Sequence, residues 1–303
     1  MTAAATATGR QPTHIRPVHL LLLLGINLAW AANNVAVKEA VLAMPPLAAA
    51  ALRFALVALL CLPWLRWVPG RMGPVLAVAL FQGALHFACL NLAYAAADNV
   101  AALALVGQAG VPFALIMAVL VLGERIAVVR SIAIAVCLAG VAIIGFDPAV
   151  VDELEGAALV VLAAFWYAVS TIFLKRVTGI HHFTILAWLG LVASAALATA
   201  SLLLEPGALA ALGSHPPLAY AAIAFSALFS SMLGHGGANA LLQRYPVSWI
   251  MPLFIPAPVL AAVLGVLAYD LPVTWRLVVG GGLAVAGAAV ITLRTARPRA
   301  NGA

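Results

Sequence analysis

Charged residues are scarce in this sequence: aspartate, glutamate, lysine and arginine make up 8% of 303 residues, whereas 66% are hydrophobic and the mean hydropathy is +1.15. A soluble globular domain has about 25% charged residues with which to cover its surface. The composition therefore excludes a soluble domain, a disordered chain and a nucleic-acid-binding domain. It predicts an integral membrane protein instead.

Acidic residues and several functional motifs are missing from the apolar part of the chain. No aspartate or glutamate lies near the middle of a predicted membrane span, so the carboxylate relay common in proton-driven transporters is lacking. No glycine-rich phosphate-binding loop occurs, which excludes ATP-driven transport by this chain alone. Cys61, Cys89 and Cys137 lie in apolar runs at spacings that fit neither a zinc site nor a disulfide framework, so we interpret them as packing residues.

Ten apolar runs are predicted to be transmembrane helices, since about 20 residues span a bilayer and these runs are too long for barrel strands. They lie at about 18–37, 47–67, 75–96, 100–122, 131–146, 156–173, 183–204, 217–240, 247–268 and 275–293. The connectors are too short for an extramembrane catalytic domain. The first run, with Arg16 before it and Ala29-Trp30-Ala31 within it, also resembles a cleavable signal peptide. Because the run continues to Val37, we interpret it as a span.

The basic residues indicate the orientation of the chain. If the N-terminus is cytoplasmic and the ten spans alternate, twelve lysines and arginines fall inside, whereas only Lys38 and Arg276 fall outside. Eight of the nine acidic residues fall outside on the same assumption. Because lysine and arginine accumulate in cytoplasmic loops, we expect both termini to be cytoplasmic.

The two halves of the chain share a residue pattern at a constant offset of 146 positions. The paired residues are a proline in the fourth span of each half, an acid in the following connector and a base near the closing span: Pro112 with Pro258, Glu124 with Asp270, and Arg130 with Arg276. Each half has five spans, which is an odd number. The second half is therefore predicted to be inverted relative to the first.

Three segments resemble a known family. They are Ala51-Leu52-Arg53-Phe54 at the start of span 2, Leu122-Gly123-Glu124-Arg125 at the end of span 4, and the degenerate copy around Asp270 and Arg276. Over about residues 18 to 293, the chain resembles the two EamA repeats of the drug/metabolite transporter superfamily. Within it, the chain is most similar to bacterial amino-acid and metabolite exporters, including the aromatic amino-acid exporter group. The resemblance implies an all-α integral membrane protein with ten transmembrane helices in two inverted five-helix repeats, a central cavity, alternating access and no cofactor.

The resemblance and the charge pattern together divide the chain. We expect a cytoplasmic tail over 1–17, a first repeat over 18–146, a periplasmic linker over 147–155, a second repeat over 156–293 and a cytoplasmic tail over 294–303. The protein is then a multi-pass protein of the bacterial inner membrane. Its expected partners are a small-molecule substrate and membrane lipid, without nucleic acid, and its oligomeric state is left open.

Polar and aromatic side chains inside the spans are the candidate substrate ligands, because polar groups are costly in lipid and tend to face the bundle interior or a cavity. Several recur at helical spacing, such as Ser231, His235 and Asn239 in span 8. The full set is Trp30, Asn33, Asn34, His86, Tyr94, Gln108, Trp166, Tyr167, Ser170, Ser231, His235 and Asn239. The alternative role for each is a hydrogen bond to a neighbouring helix without any contact to substrate.

Arg53 is a separate candidate because it carries a charge about six residues into span 2. Its side chain could extend to the outer headgroups, stabilise the carbonyl end of a neighbouring helix, or bind a substrate carboxylate. The sequence leaves the structural and the carboxylate-binding roles open. No metal site is predicted, because His86 and His235 lie on separate spans without clustered carboxylates.

The leading functional hypothesis is an exporter of amino acids or related small metabolites, which is not an enzyme. An exporter of cationic or aromatic drugs is the alternative: Trp30 and Trp166 offer cation–π contacts, but no acid is available to pair with a permanent cation. An intramembrane enzyme is a remote alternative, since no nucleophile or metal constellation is visible. Proton coupling would rely on His86 or His235, and an uncoupled facilitator also stays open.

Overall fold

The computed structural model describes residues 15–122, 128–147, 153–177, 179–245 and 250–295. All regular secondary structure within these ranges is helical, and they contain no strand. The all-helical class expected from the sequence is therefore confirmed. Glu124 and Arg125, which carry part of the family resemblance, lie outside the described residues.

Five apolar helices form each half of the described chain. In the first half they are α1 (Pro17–Ala43), α2 (Pro46–Trp64), α3 (Met72–Ala96), α4 (Val100–Val106, continued by Gly107–Ala109 and Gly110–Leu122) and α5 (Val128–Gly145). In the second half they are α6 (Leu154–Leu174), α7 (His182–Leu204), α8 (Pro217–Gly236, continued by Gly237–Arg244), α9 (Pro256–Tyr269) and α10 (Trp275–Thr295). In the described ranges, six of these are long and apolar enough to cross a membrane, and the other four contain shorter apolar helices. Their order matches the ten predicted spans.

Equivalent helices of the two halves are irregular in the same way. The third helix of each half has a π-helical segment near its middle, over Ala79–His86 in α3 and Ser226–Gly236 in α8. The fourth helix has a 3₁₀ segment ahead of its paired proline, over Gly107–Ala109 in α4 and Met251–Phe254 before α9. Such segments often mark hinges or functional sites. Their repetition agrees with a chain built from two inverted five-helix repeats.

Carboxylates satisfy the starts of two helices in the first half. Glu205, after α7, accepts hydrogen bonds from the backbone N–H of Leu47 at 2.8 Å and of Ala48 at 3.0 Å, at the start of α2. Glu153, before α6, accepts one from the N–H of Asn99 at 2.9 Å, at the start of α4. The first N–H groups of a helix have no partner within it, and a negative charge suits its N-terminus. Both contacts tie the second half to the first.

Glycines let α5 and α10 approach to backbone contact. A Cβ added to Gly140 in α5 would lie 2.5 Å from the backbone N of Ala284 and 2.5 Å from the carbonyl O of Gly280, both in α10. A Cβ on Gly287 would lie 2.7 Å from the backbone N of Cys137. Small residues allow this close packing, which stabilises helix pairs in lipid. The closing helices of the two halves are therefore joined along a glycine contact.

Candidate functional site

Arg53, in α2, links the two halves of the chain. Its Nη2 donates hydrogen bonds to the Oγ of Ser230 at 3.3 Å and of Ser231 at 3.1 Å, in the π-helical segment of α8. The guanidinium carbon lies 4.6 Å from the ring centre of Phe87 and 5.4 Å from that of Phe54. Arg53 is only 2% exposed, so its charge is stabilised by two hydroxyls and two ring faces.

The indole of Trp30, in α1, lies against the same part of α8. Its Nε1 donates to the carbonyl O of Ser230 at 3.3 Å, and its ring centre is 5.4 Å from that of His235. The centre of the Phe254 ring is 5.1 Å from that of the indole. Gly234 makes room for the indole, since a Cβ there would overlap Nε1. Trp30 is therefore held by side chains and backbone of the second half.

Phe87, in α3, connects these groups to both histidines. Its ring centre lies 6.5 Å from that of His235 and 4.7 Å from that of His86. We use the name central cluster for the side chains that these contacts join between the halves: Trp30, Arg53, Phe87, Ser230, Ser231 and His235. Since its members come from α1, α2 and α3 of the first half and from α8 of the second, relative movement of the halves would change its contacts.

His86 lies beside the central cluster and contacts α6. Its Nδ1 is 2.9 Å from the carbonyl O of Ala163, and because a carbonyl oxygen only accepts, Nδ1 carries the proton in this contact. The imidazole is 5.4 Å from the ring of Tyr167, which is 36% exposed. The structure thus brings His86 and Tyr167, both predicted from the sequence, next to the central cluster.

Asn34 and Tyr94 bond to each other inside the first half. The hydroxyl of Tyr94 donates to Oδ1 of Asn34, and Nδ2 of Asn34 donates to the carbonyl O of Trp30 at 2.8 Å. This is the interhelical bonding that the sequence left as the alternative role. It also steadies the turn of α1 that carries Trp30. Asn33 is 9% exposed, and its Oδ1 has no hydrogen-bond partner within the described ranges.

Four other predicted ligands are not placed in the central cluster by the described contacts. Trp166 stacks on an aromatic ring of α3 at 5.6 Å. Ser170 donates to the carbonyl O of Tyr167 on its own helix at 2.6 Å, so its hydroxyl is used locally. Gln108 lies in the 3₁₀ segment of α4, and the side chain of Asn239 lies outside the described side chains. Substrate contact by any predicted ligand stays a prediction.

Sequence reasoning missed three members of this region: Phe87, Phe254 and Ser230. A phenylalanine in an apolar span carries no polar signal, so neither ring could be distinguished from ordinary packing. Adjacent residues of a regular α-helix diverge by about 100°, so Ser230 and Ser231 were not expected to reach the same guanidinium. Both serines lie in the π-helical segment of α8, which no feature of the sequence indicated.

Lys38, which was not among the predicted ligands, is buried where α3 ends. Its Nζ donates to the carbonyl O of Tyr94 at 3.2 Å, the carbonyl O of Ala97 at 2.8 Å and the carboxylate of Asp98 at 2.8 Å. A cation at the C-terminal end of a helix also complements the helix dipole. Lys38 therefore has a structural role that fastens α1 to α3.

Replacing Lys38 by methionine is expected to lower the free energy of unfolding by about 1–3 kcal/mol, because buried carbonyl groups lose their donor. The measurement is unfolding of the purified protein in detergent. Asp98→Asn is the matched control: the Asp98 side chain is 87% exposed, so its charge contributes little. An equal decrease in the free energy of unfolding in the two variants would mean that the charge of Asp98, and not the buried carbonyl contacts, accounts for the stability of this end of α3.

Ten helices in two inverted halves around an enclosed polar and aromatic cluster define a multi-pass membrane protein of the solute-carrying class. Comparison with known families gives the same result: the chain belongs to the EamA-like transporter family of the drug/metabolite transporter superfamily, whose family model matches residues 18–146 and 154–293. The family resemblance found in the sequence is thereby confirmed.

Relatives match the chain over most of their length. A "probable amino-acid metabolite efflux pump" of Escherichia coli (strain K12) is 27% identical over 289 residues, which cover 88% of this chain and 92% of that protein. An "uncharacterized transporter" of Archaeoglobus fulgidus is 26% identical over 271 residues, covering 86% and 94%. A solved crystal structure is similar with a TM-score of 0.64 at 20% identity, over 93% of this chain and 100% of that one, and it supports the fold alone.

Proposed function

We propose that this transporter exports amino acids or related small metabolites across the bacterial inner membrane. The observation that carries the proposal is the central cluster, which combines hydrogen-bonding groups, a cation and aromatic rings at the junction of the two halves. These are the groups that a small polar metabolite with an apolar side chain requires. The name of the Escherichia coli relative, an amino-acid metabolite efflux pump, supports the same substrate class.

The mechanism that we propose is alternating access by rocking of the two repeats. The central cluster is held by hydrogen bonds across the halves, from Arg53 to Ser230 and Ser231 and from Trp30 to the backbone of Ser230. These bonds are few and individually weak, so they can break and re-form as the halves move. In inverted-repeat transporters, substrate sites lie near the membrane midplane at the repeat interface. The central cluster lies at that interface in this chain.

We further propose that both termini face the cytoplasm. The excess of lysine and arginine on that side supports this orientation under the positive-inside rule. The carboxylates of Glu153 and Glu205, which stabilise the starts of α4 and α2, then lie on the periplasmic side. The acids on that side therefore have a structural role in this proposal, and none of them is needed for substrate binding.

Export of permanent cations, the alternative function, receives less support. Arg53 places a positive charge in the central cluster, and α2, α3 and α8, which contact its guanidinium, contain no aspartate or glutamate. A cationic drug would meet repulsion there that ring faces alone do not offset. The proposed substrate is therefore zwitterionic or anionic.

The proposal is tested by efflux from proteoliposomes loaded with a panel of radiolabelled amino acids, with and without a pH gradient. We expect saturable release of some members, which protein-free liposomes do not show. An effect of the pH gradient on release would indicate proton coupling, and the candidate proton carriers are His235 in the central cluster and His86 beside it. Release that does not depend on the gradient would indicate facilitated transport. If the protein is folded and none of the amino acids is released saturably, amino-acid export is contradicted.

A further inference from the structure

The guanidinium of Arg53 is only partly satisfied by the protein. Its Nη2 bonds to Ser230 and Ser231, whereas Nε and Nη1 are enclosed and have no hydrogen-bond partner in the part of the chain that the structure describes. A guanidinium remains charged and has donors on all three nitrogens. A buried charged group with unpaired donors is costly in a membrane interior, so it marks a functional site in need of a partner.

The helices that contact the guanidinium of Arg53 contain no carboxylate that could pair with it. No aspartate or glutamate occurs between Glu39 and Asp98, or between Glu205 and Asp270. The hydrogen bonds and ring contacts of the guanidinium come from α2, α3 and α8, which lie within these two stretches. The faces of the two phenylalanine rings compensate the charge only in part. The missing partner is therefore an anion from outside the chain.

We infer, on the basis of the proposed transport function, that Arg53 binds the carboxylate of the transported molecule, and that a carboxylate lacking an ammonium group is preferred over an amino acid of the same shape. A lone carboxylate neutralises Arg53, whereas the ammonium of an amino acid adds a second positive charge with no acid to balance it. The rings of Trp30, Phe87 and Phe254 suit an aromatic or apolar side group beside that carboxylate. The substrate class is thus small aromatic or apolar carboxylic acids, including hydroxy acids.

Carboxylate binding is linked to movement of the halves in this arrangement. Arg53 is enclosed in the present conformation, and its planar guanidinium offers parallel donors to a carboxylate only as Nε with Nη2 or Nη1 with Nη2. Because Nη2 is bonded to the two serines, a carboxylate binds through two donors only when α2 and α8 separate. A carboxylate is a stronger acceptor for a guanidinium than a serine hydroxyl. The substrate therefore replaces Ser230 and Ser231 as the partner of Arg53, and it stabilises the separated arrangement.

The test compares three probes of one shape in proteoliposomes that contain the full chain. 3-Phenyllactate has a carboxylate and a hydroxyl, phenylalanine has a carboxylate and an ammonium, and phenylalaninol has an ammonium without a carboxylate. Saturable release at neutral pH is corrected for release from protein-free liposomes, and binding is measured in detergent. We expect release to be fastest and binding tightest for phenyllactate, intermediate for phenylalanine and weakest for phenylalaninol. The values for phenyllactate and phenylalaninol should differ at least about tenfold, which is the effect of one hydrogen bond to a charged group.

Variants assign the preference to Arg53. In Arg53→Met the ratio of phenyllactate to phenylalaninol should fall to about one, because the charge that distinguishes the probes is gone. The ratio is measured within one variant, so it does not depend on the amount of folded protein. Arg66→Met is the matched control, since Arg66 is exposed and should keep the wild-type ratio. If Arg53→Met does not fold, Ser231→Ala is a second test. This variant removes one hydroxyl that competes with the substrate carboxylate for Arg53, so it should strengthen phenyllactate binding.

The outcomes separate this inference from the proposed function. Preference for phenylalanine over phenyllactate, an unchanged ratio in Arg53→Met, or weaker phenyllactate binding in Ser231→Ala would overturn the inference and leave amino-acid export standing. Absence of release and binding for all three probes would overturn it as well. In that case the efflux experiment with the panel of amino acids would test the proposed function independently.

Discussion

Alanine in place of Trp30 is expected to reduce transport at least about tenfold while leaving membrane insertion intact. The indole contacts His235 and Phe254 at 5.4 and 5.1 Å and bonds to the backbone of Ser230, so its removal empties the centre of the junction between the halves. His235→Ala removes the ring that contacts the indole and should likewise reduce transport. Transport per folded protein in proteoliposomes is the measurement.

Two further variants show which property of Trp30 matters. Trp30→Phe keeps an aromatic ring but loses the Nε1 donor to Ser230, so an intermediate rate is expected. Trp67→Ala removes an indole of the same size from a residue that is 67% exposed, and it should transport at the wild-type rate. Wild-type flux in both Trp30→Ala and His235→Ala would remove these residues from the site.

Alanine in place of Gly140 is expected to destabilise the fold by about 3 kcal/mol, at the upper end of typical overpacking costs. The added Cβ would lie 2.5 Å from two backbone atoms of α10, and a backbone cannot move aside as a flexible side chain can. The closing helices would have to separate along their contact. The measurement is the midpoint of thermal unfolding in detergent, together with the yield of folded protein.

Gly282→Ala is the matched control for Gly140→Ala. Gly282 lies in α10 beside Gly280 and Gly281, but a Cβ there would meet nothing within 4 Å. Alanine is a better helix former than glycine by about 1 kcal/mol, so this variant should be unchanged or more stable. Opposite signs at the two positions are the expected result. A similar loss of stability at both positions would mean that glycine flexibility, and not the close contact, is what α5 and α10 require.

The architecture was predictable from the sequence because hydrophobic run length and charge placement are strong signals in a membrane chain. The order of the ten spans and the matched positions of Pro112 and Pro258 follow from the amino-acid sequence alone. The equivalent 3₁₀ and π-helical segments were not predictable, since no single residue type specifies them.

The candidate site was predictable only in part. Trp30, Arg53 and His235 were identified because polar or amphipathic side chains inside a span are few and stand out. Sequence could not decide that Ser170 bonds to its own helix, or that Asn34 bonds to Tyr94, because both choices depend on the rotation of neighbouring helices. The partners of Arg53 are two adjacent serines in a π-helical segment, and the sequence did not indicate that segment.

We propose that substrate passes between the halves through the central cluster, which opens to one side of the membrane at a time. The most direct test is labelling of Ser231→Cys by a membrane-impermeant thiol reagent, in a variant whose native Cys61, Cys89 and Cys137 are replaced by alanine. Reagent is applied to right-side-out and to inside-out vesicles, with and without a transported substrate. We predict labelling from both sides, with substrate changing the two rates. Labelling from neither side, or from one side irrespective of substrate, would contradict alternating access at this site.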